Sequence, residues 1–159
     1  MKEHKTKENA FEWVPMHERK GRFGAPMPPR KPETRTPVLW LARDDDELYL
    51  VNNSKEPLEF VMADSGGFQT LDDNAAAVKS ETAYEYKNVQ PGHAVKIDEY
   101  DGFYDLDYVL QVYIKVQSPS LGTLKIASPP EKGGVRETVL LWDSGEPEKY
   151  VSIETLNHG

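Results

Sequence analysis

The sequence predicts an all-β protein: a two-sheet antiparallel β-sandwich with one short helix, preceded by an extended, proline-rich N-terminal arm. Three observations carry this expectation. From Thr36 onward apolar side chains recur with a period of two, as they do along half-buried strands. Clusters of Gly, Pro, Asn and Asp separate these segments at short, regular intervals. Prolines gather before them, at Pro15, Pro26, Pro28, Pro29 and Pro32, where they remove backbone donors and fix φ.

Taken in order, residues 1–35 read as an arm and residues 36–159 as an acidic sandwich domain. The piece from Ala25 to Pro32 should be extended, near polyproline II. Phe11, Trp13 and Phe23 are too apolar for a pure linker and should dock the arm on the domain surface or on a partner, and the arm otherwise should lack regular structure. Val38–Ala42 and Val139–Trp142 are continuously apolar, as strands covered on both faces would be. Leu58, Phe60 and Met62 alternate with polar neighbours, as do Val95 and Ile97, Leu124 and Ile126, and Val151 and Ile153. The longest alternation, Tyr108–Gln117, puts Tyr108, Leu110, Val112, Ile114 and Val116 on one buried face. Asp72 or Asp73 could cap a short helix over 73–80, with three alanines in it.

The turns have their own chemistry. Arg43–Asp46 separates two strands at hairpin spacing. Gln90-Pro91-Gly92-His93 suits a type II turn and should join 84–89 to 94–100 as a hairpin. Val51-Asn52-Asn53-Ser54 and Val89-Gln90-Pro91-Gly92 resemble turns of immunoglobulin-like sandwiches. The expected architecture is therefore immunoglobulin-like or jelly-roll-like.

Charge divides the chain as well. Residues 1–35 hold nine Lys/Arg and five Asp/Glu, a net +4; residues 36–159 hold ten and twenty-two, a net −12. An acidic body repels nucleic acid and anionic membrane surfaces and favours basic partners or cations. The absence of cysteine excludes disulfides, Cys-ligated zinc and thiol catalysis, and fits a reducing, cytoplasmic location. The charged start Met1-Lys2-Glu3-His4-Lys5 does not read as a secretory signal, and no apolar run is long enough for a membrane helix.

Asp98–Asp107 is the densest chemical feature, with five carboxylates in ten residues. Asp98, Asp101, Asp105 and Asp107 could offer hard oxygen ligands to Ca²⁺, and the run resembles the aspartate-rich loops of C2-type sandwiches. The EF-hand pattern fails, since Tyr100 stands at the third position and Val109 at the twelfth. A solvated loop whose charges discourage edge pairing is the simpler reading, so no metal is expected. Asp44, Asp45 and Asp46 form a second acidic cluster whose distance from the first cannot be read from sequence.

Other chemistries lack their residues. His4, His17, His93 and His158 show no metal-binding spacing. Ser65 and Ser144 sit in turns without a G-x-S-x-G elbow, and Ser65-Gly66-Gly67 is not followed by the G-K-[ST] of a phosphate loop. Pro26–Lys31 fits a proline-rich ligand followed by a basic residue, a pattern frequent by chance in such stretches. The arm's cations and aromatics could meet single-stranded nucleic acid, but the acidic body would repel it.

The expectation is thus a non-enzymatic binding module without cofactor, of the inhibitor or immunity-protein kind, that neutralises a basic protein partner. Its expected contact patch is Tyr100, Asp101, Phe103, Tyr104, Asp105 and Asp107, with Asp44, Asp45 and Asp46 as a second candidate. A carbohydrate- or calcium-binding sandwich using the same loop is the alternative.

Overall fold

A computed structural model describes residues 3–15, 33–64, 83–101 and 108–156. Among these residues every regular element is a strand. Two five-stranded antiparallel sheets pack together, with a two-stranded piece beside them. The expected helix over 73–80 lies outside the described residues.

The first sheet has the order β1-β6-β3-β2-β11, built from β1 (Thr6–Glu8), β2 (Pro37–Asp44), β3 (Glu47–Asn52), β6 (His93–Glu99) and β11 (Thr138–Trp142). The second has the order β12-β9-β8-β4-β5, from β4 (Leu58–Asp64), β5 (Tyr84–Val89), β8 (Tyr113–Ser118), β9 (Gly122–Ala127) and β12 (Ser152–Leu156). β7 (Val109–Leu110) and β10 (Glu131–Lys132) pair with each other. Between the large sheets, Leu39, Leu41, Leu48, Leu50, Val95 and Ile97 meet Val61, Ala63, Ile114, Val116, Leu124 and Ile126 in one buried cluster.

A second cluster covers the outer face of the first sheet. Trp40, Ala42, Tyr49, Val51, Ala94, Val139 and Trp142 are buried there, and Phe11 and Trp13 of the arm pack on them. This explains the unbroken apolar runs in β2 and β11: both faces of the sheet are covered. The arm differs from expectation in one respect. Thr6–Glu8 pairs with β6 in the register Thr6↔Val95 to Glu8↔His93, so it forms an edge strand where none was expected. No proline interrupts residues 3–14, which leaves every backbone donor available for that pairing. Phe23 and the Pro26–Lys31 motif lie outside the described residues.

Three further expectations need correction. The turn at 90–93 forms as read, with His93 N donating to Gln90 O at 3.0 Å and Gly92 at φ 84°. It does not close a hairpin, because β5 belongs to the second sheet and β6 to the first. The run Tyr108–Gln117 is not one strand. Val112 N donates to Ser128 Oγ at 3.0 Å, and the chain before it leaves the second sheet so that Leu110 pairs with Glu131. Tyr108 and Val109 are consequently 63% and 67% exposed. Lys96 and Asp98, the polar members of their strand's alternation, are buried: Lys96 reaches Glu47 and Glu99, and Asp98 accepts from Glu99 N.

Candidate functional site

The described part of the Asp98–Asp107 run, residues 98–101, meets the Asp44–Asp46 cluster at one end of the first sheet. The β2–β3 hairpin turns through Asp45 and Asp46 with Asp44 opposite Glu47. A two-residue loop needs left-handed backbone, and Asp45 supplies it at φ 54°, a conformation that Asp tolerates better than most residues. Beside it, β3 pairs with β6 so that Glu47 faces Glu99 and Leu48 faces Asp98. Tyr100 N then donates to Asp46 O at 2.8 Å, tying the hairpin tip to the chain leaving β6. Asp44, Asp45, Asp46, Glu99 and Asp101 stand exposed around this end.

Four cations answer this charge from within the chain. Lys5 Nζ lies 2.8 Å from Glu47 and 3.5 Å from Glu3, and Lys7 pairs with Asp44. Lys96, only 1% exposed, reaches Glu47 at 3.0 Å and Glu99 at 3.4 Å. The guanidinium of Arg43 donates to Asp45 O and to Val135 O, at 2.8 and 2.9 Å, and lies 5.0 Å from the Tyr100 ring centre. Tyr49 OH donates to the other Glu47 oxygen at 3.0 Å.

The electrostatic consequences follow from these partners. The hydrogen bond from Lys5, with those from Lys96 and Tyr49, outweighs burial and holds Glu47 at about 2. Burial works against the Lys96 ammonium, but Glu47 and Glu99 overcome it and keep its pKa above the ordinary lysine value. Tyr84 is pushed up to about 12, first by burial and then by Asp98 and Glu99.

The expected contact patch is therefore partly redrawn. Asp44, Asp45, Asp46 and Asp101 are surface residues brought together as one rim. Tyr100 stands apart from them, 4% exposed and part of the main core. Its ring lies against Gly134, where a Cβ would come within 2.7 Å of two ring carbons. Burial, aided by Asp98, drives its phenol far above the ordinary range. The double glycine at 133–134 signals a turn in the sequence, and nothing there tells which ring needs the room. Phe103, Tyr104, Asp105 and Asp107 lie outside the described residues. Of the calcium set, Asp98 is buried and accepts from Glu99 N at 2.9 Å, while Asp101 is exposed. Among the described residues no group of three or more His, Asp or Glu side chains is placed to hold a metal ion.

Sequence reading missed a second region, at the β11 edge of the covered face. Trp13 meets Trp142 edge-on, at 5.5 Å and 80°. Arg35 lies 4.3 Å from the Trp142 ring centre and is held by both oxygens of Glu33, each at 2.9 Å. That fork of hydrogen bonds lowers Glu33 to about 2. A cleft of about 270 Å³ opens here between Trp13, Val139 and Trp142, rimmed by Glu33, Glu137 and Glu148. The Glu33-Thr34-Arg35 spacing was the available signal, but only the fold shows that both indoles converge on it.

At the opposite end of the first sheet, a larger cleft of about 540 Å³ lies between Pro37, Asn53, Ser54, Lys55, Leu121 and Asp143. No aromatic side chain among the described residues lines that cleft, so they offer no flat surface there for a sugar ring.

Fold and site together define a two-layer β protein with a charged, arm-braced rim. The chain matches no known protein-family model, no curated protein and no solved structure.

Proposed function

We propose that this chain is a non-enzymatic protein-binding module, of the inhibitor or immunity-protein kind, that engages a basic protein through the acidic end of its first sheet. The observation that carries this reading is the convergence of Asp44, Asp45 and Asp46 with Glu99 and Asp101 on one exposed rim. A rim of one sign steers an oppositely charged partner during encounter, which raises association rate more than final affinity. The tight β2–β3 turn that carries Asp45 and Asp46 is braced by Arg43, which donates to the Asp45 carbonyl, and by Tyr100 N on the Asp46 carbonyl, so less backbone ordering is lost on binding. The sandwich itself, in which the chain crosses between sheets after β3 and again after β5, suits an immunoglobulin-like or jelly-roll-like scaffold. A cytoplasmic location fits the lack of cysteine.

Affinity purification from the native host, at low and at high salt, tests the reading. A stoichiometric basic protein should be retained at low salt, and an Asp46→Lys/Asp101→Lys variant should lose it while melting normally. Equal retention by that variant would end the proposal, as would a retained partner that is not basic.

A further inference from the structure

The cleft beside Trp142 has features that the acidic rim does not explain. Its walls are apolar, with Trp13 and Val139 facing across it, and its mouth is acidic, with Glu137 and Glu148. Cation stacking already occurs on this surface, since Arg35 lies over the Trp142 ring. An indole face attracts a cation through its quadrupole, most strongly where water is excluded. Trp142 itself is 3% exposed, and its indole Nε1–H has no acceptor among the described residues. The volume of about 270 Å³ exceeds the roughly 30 Å³ that one water occupies in the liquid several times over.

We propose that this cleft binds a basic side chain carried on a peptide. The alkyl stem packs on Trp13 and Val139, and the ammonium or guanidinium faces Glu137 and Glu148. An apolar side chain would fill the volume but gain nothing from the acidic mouth. A free inorganic cation would leave the apolar walls formed by Trp13 and Val139 uncovered. The site is separate from the acidic rim and does not depend on the function proposed for it.

The chain's own fluorescence can report on this site, because Trp13, Trp40 and Trp142 are its three tryptophans and all belong to the covered face. The full chain would be titrated with short acetylated peptides carrying a single lysine, a single arginine or a single norleucine. Saturable changes are expected with lysine and arginine, and the norleucine peptide should bind at least tenfold more weakly. Glu137→Gln/Glu148→Gln should weaken the basic peptides at least fivefold with unchanged melting, whereas Asp46→Lys should leave them within twofold. Equal binding of norleucine would overturn the proposal in favour of a merely apolar groove. An equal loss in Asp46→Lys would reduce the effect to general acidity, and no saturable change with any peptide would also overturn it.

Discussion

The Lys96 ammonium has given up almost all of its water, and it keeps its charge because Glu47 and Glu99 stand within 3.0 and 3.4 Å. Removing one partner of such a pair strands the other in a poorly solvated place, which typically costs about 3–5 kcal/mol. Glu47→Ala should therefore lower the unfolding free energy by about 3 kcal/mol, the low end of that range because Glu99 remains. Adding Lys96→Met should recover part of the loss, and urea melts of the single and double variants measure both. The same carboxylate sets an acid limb. Glu47 moves from an ordinary 4.5 to about 2 on folding, so its stabilisation is complete above about pH 4.5 and is lost as pH falls toward 2. Glu47→Gln should flatten the stability profile across that window. A second contrast lies in two glycines with positive φ. Gly134 (φ 118°) touches the Tyr100 ring, whereas Gly145 (φ 88°) has nothing within 4 Å of the point where a Cβ would stand. Alanine at Gly145 meets only backbone strain, about 1 kcal/mol, while alanine at Gly134 adds a clash worth about 1–3 kcal/mol more. Equal melting temperatures for the two variants would refute that account.

The arm is the element that gives the first sheet its second covered face. Its edge strand brings Lys5 and Lys7 to the acidic rim, Asn9 turns the chain at φ 50°, and Phe11 then reaches Tyr49 at 5.4 Å. Gly92 permits the turn, because a Cβ there would stand 2.4 Å from Asn9 Oδ1. Phe11 is half-buried, so Phe11→Ala should cost about 1–3 kcal/mol, below the range for fully buried aromatics. The loss should come with a red shift of tryptophan emission as the covered face takes up water; unchanged emission and stability would mean that the arm's packing is dispensable. Much of this was legible in the sequence. The unbroken runs at Val38–Ala42 and Val139–Trp142 announced strands covered on both faces, and Phe11 and Trp13 announced an arm that docks, but not that these strands are the surface it docks on. Strand partners were legible at the tight Arg43–Asp46 turn, which joins β2 to β3 as a hairpin, but not at Gln90–His93. Pro91-Gly92 specifies a type II turn, and the same turn can close a hairpin or carry the chain from one sheet to the other. Nor could alternation show that Lys96 is buried, since a period of two separates two faces without saying whether both are dry. Likewise Tyr108 continues the pattern of Ile114 and Val116, but Ser128 breaks the strand between them by taking the Val112 N–H.

Across the whole molecule, the split between a +4 arm and a −12 body is partly settled by intramolecular pairing, since Lys5 and Lys7 both reach carboxylates of the acidic end. Those two cations oppose the attraction that a basic partner would feel, and they do so at the surface where it would land. Neither is the sole support of the buried charge, because Lys96 also lies 3.0 Å from Glu47. Exposed ion pairs of this kind contribute only about 0.2–1 kcal/mol each, so replacing both lysines by glutamine should leave the protein folded. The net charge would fall from −8 by two further units. If the acidic end steers a basic partner, Lys5→Gln/Lys7→Gln should raise the association rate constant by a few-fold at low salt. That gain should shrink as ionic strength rises, because screening acts over about 10 Å at 0.1 M. Dissociation should change little, since the exchange alters long-range attraction more than close contact. Stopped-flow association over a salt series, with the partner recovered from the host, separates the two rates. A variant that associates no faster than the parent at every salt concentration would show that the rim's net charge does not guide encounter. The partner would then have to be sought at another face of the molecule.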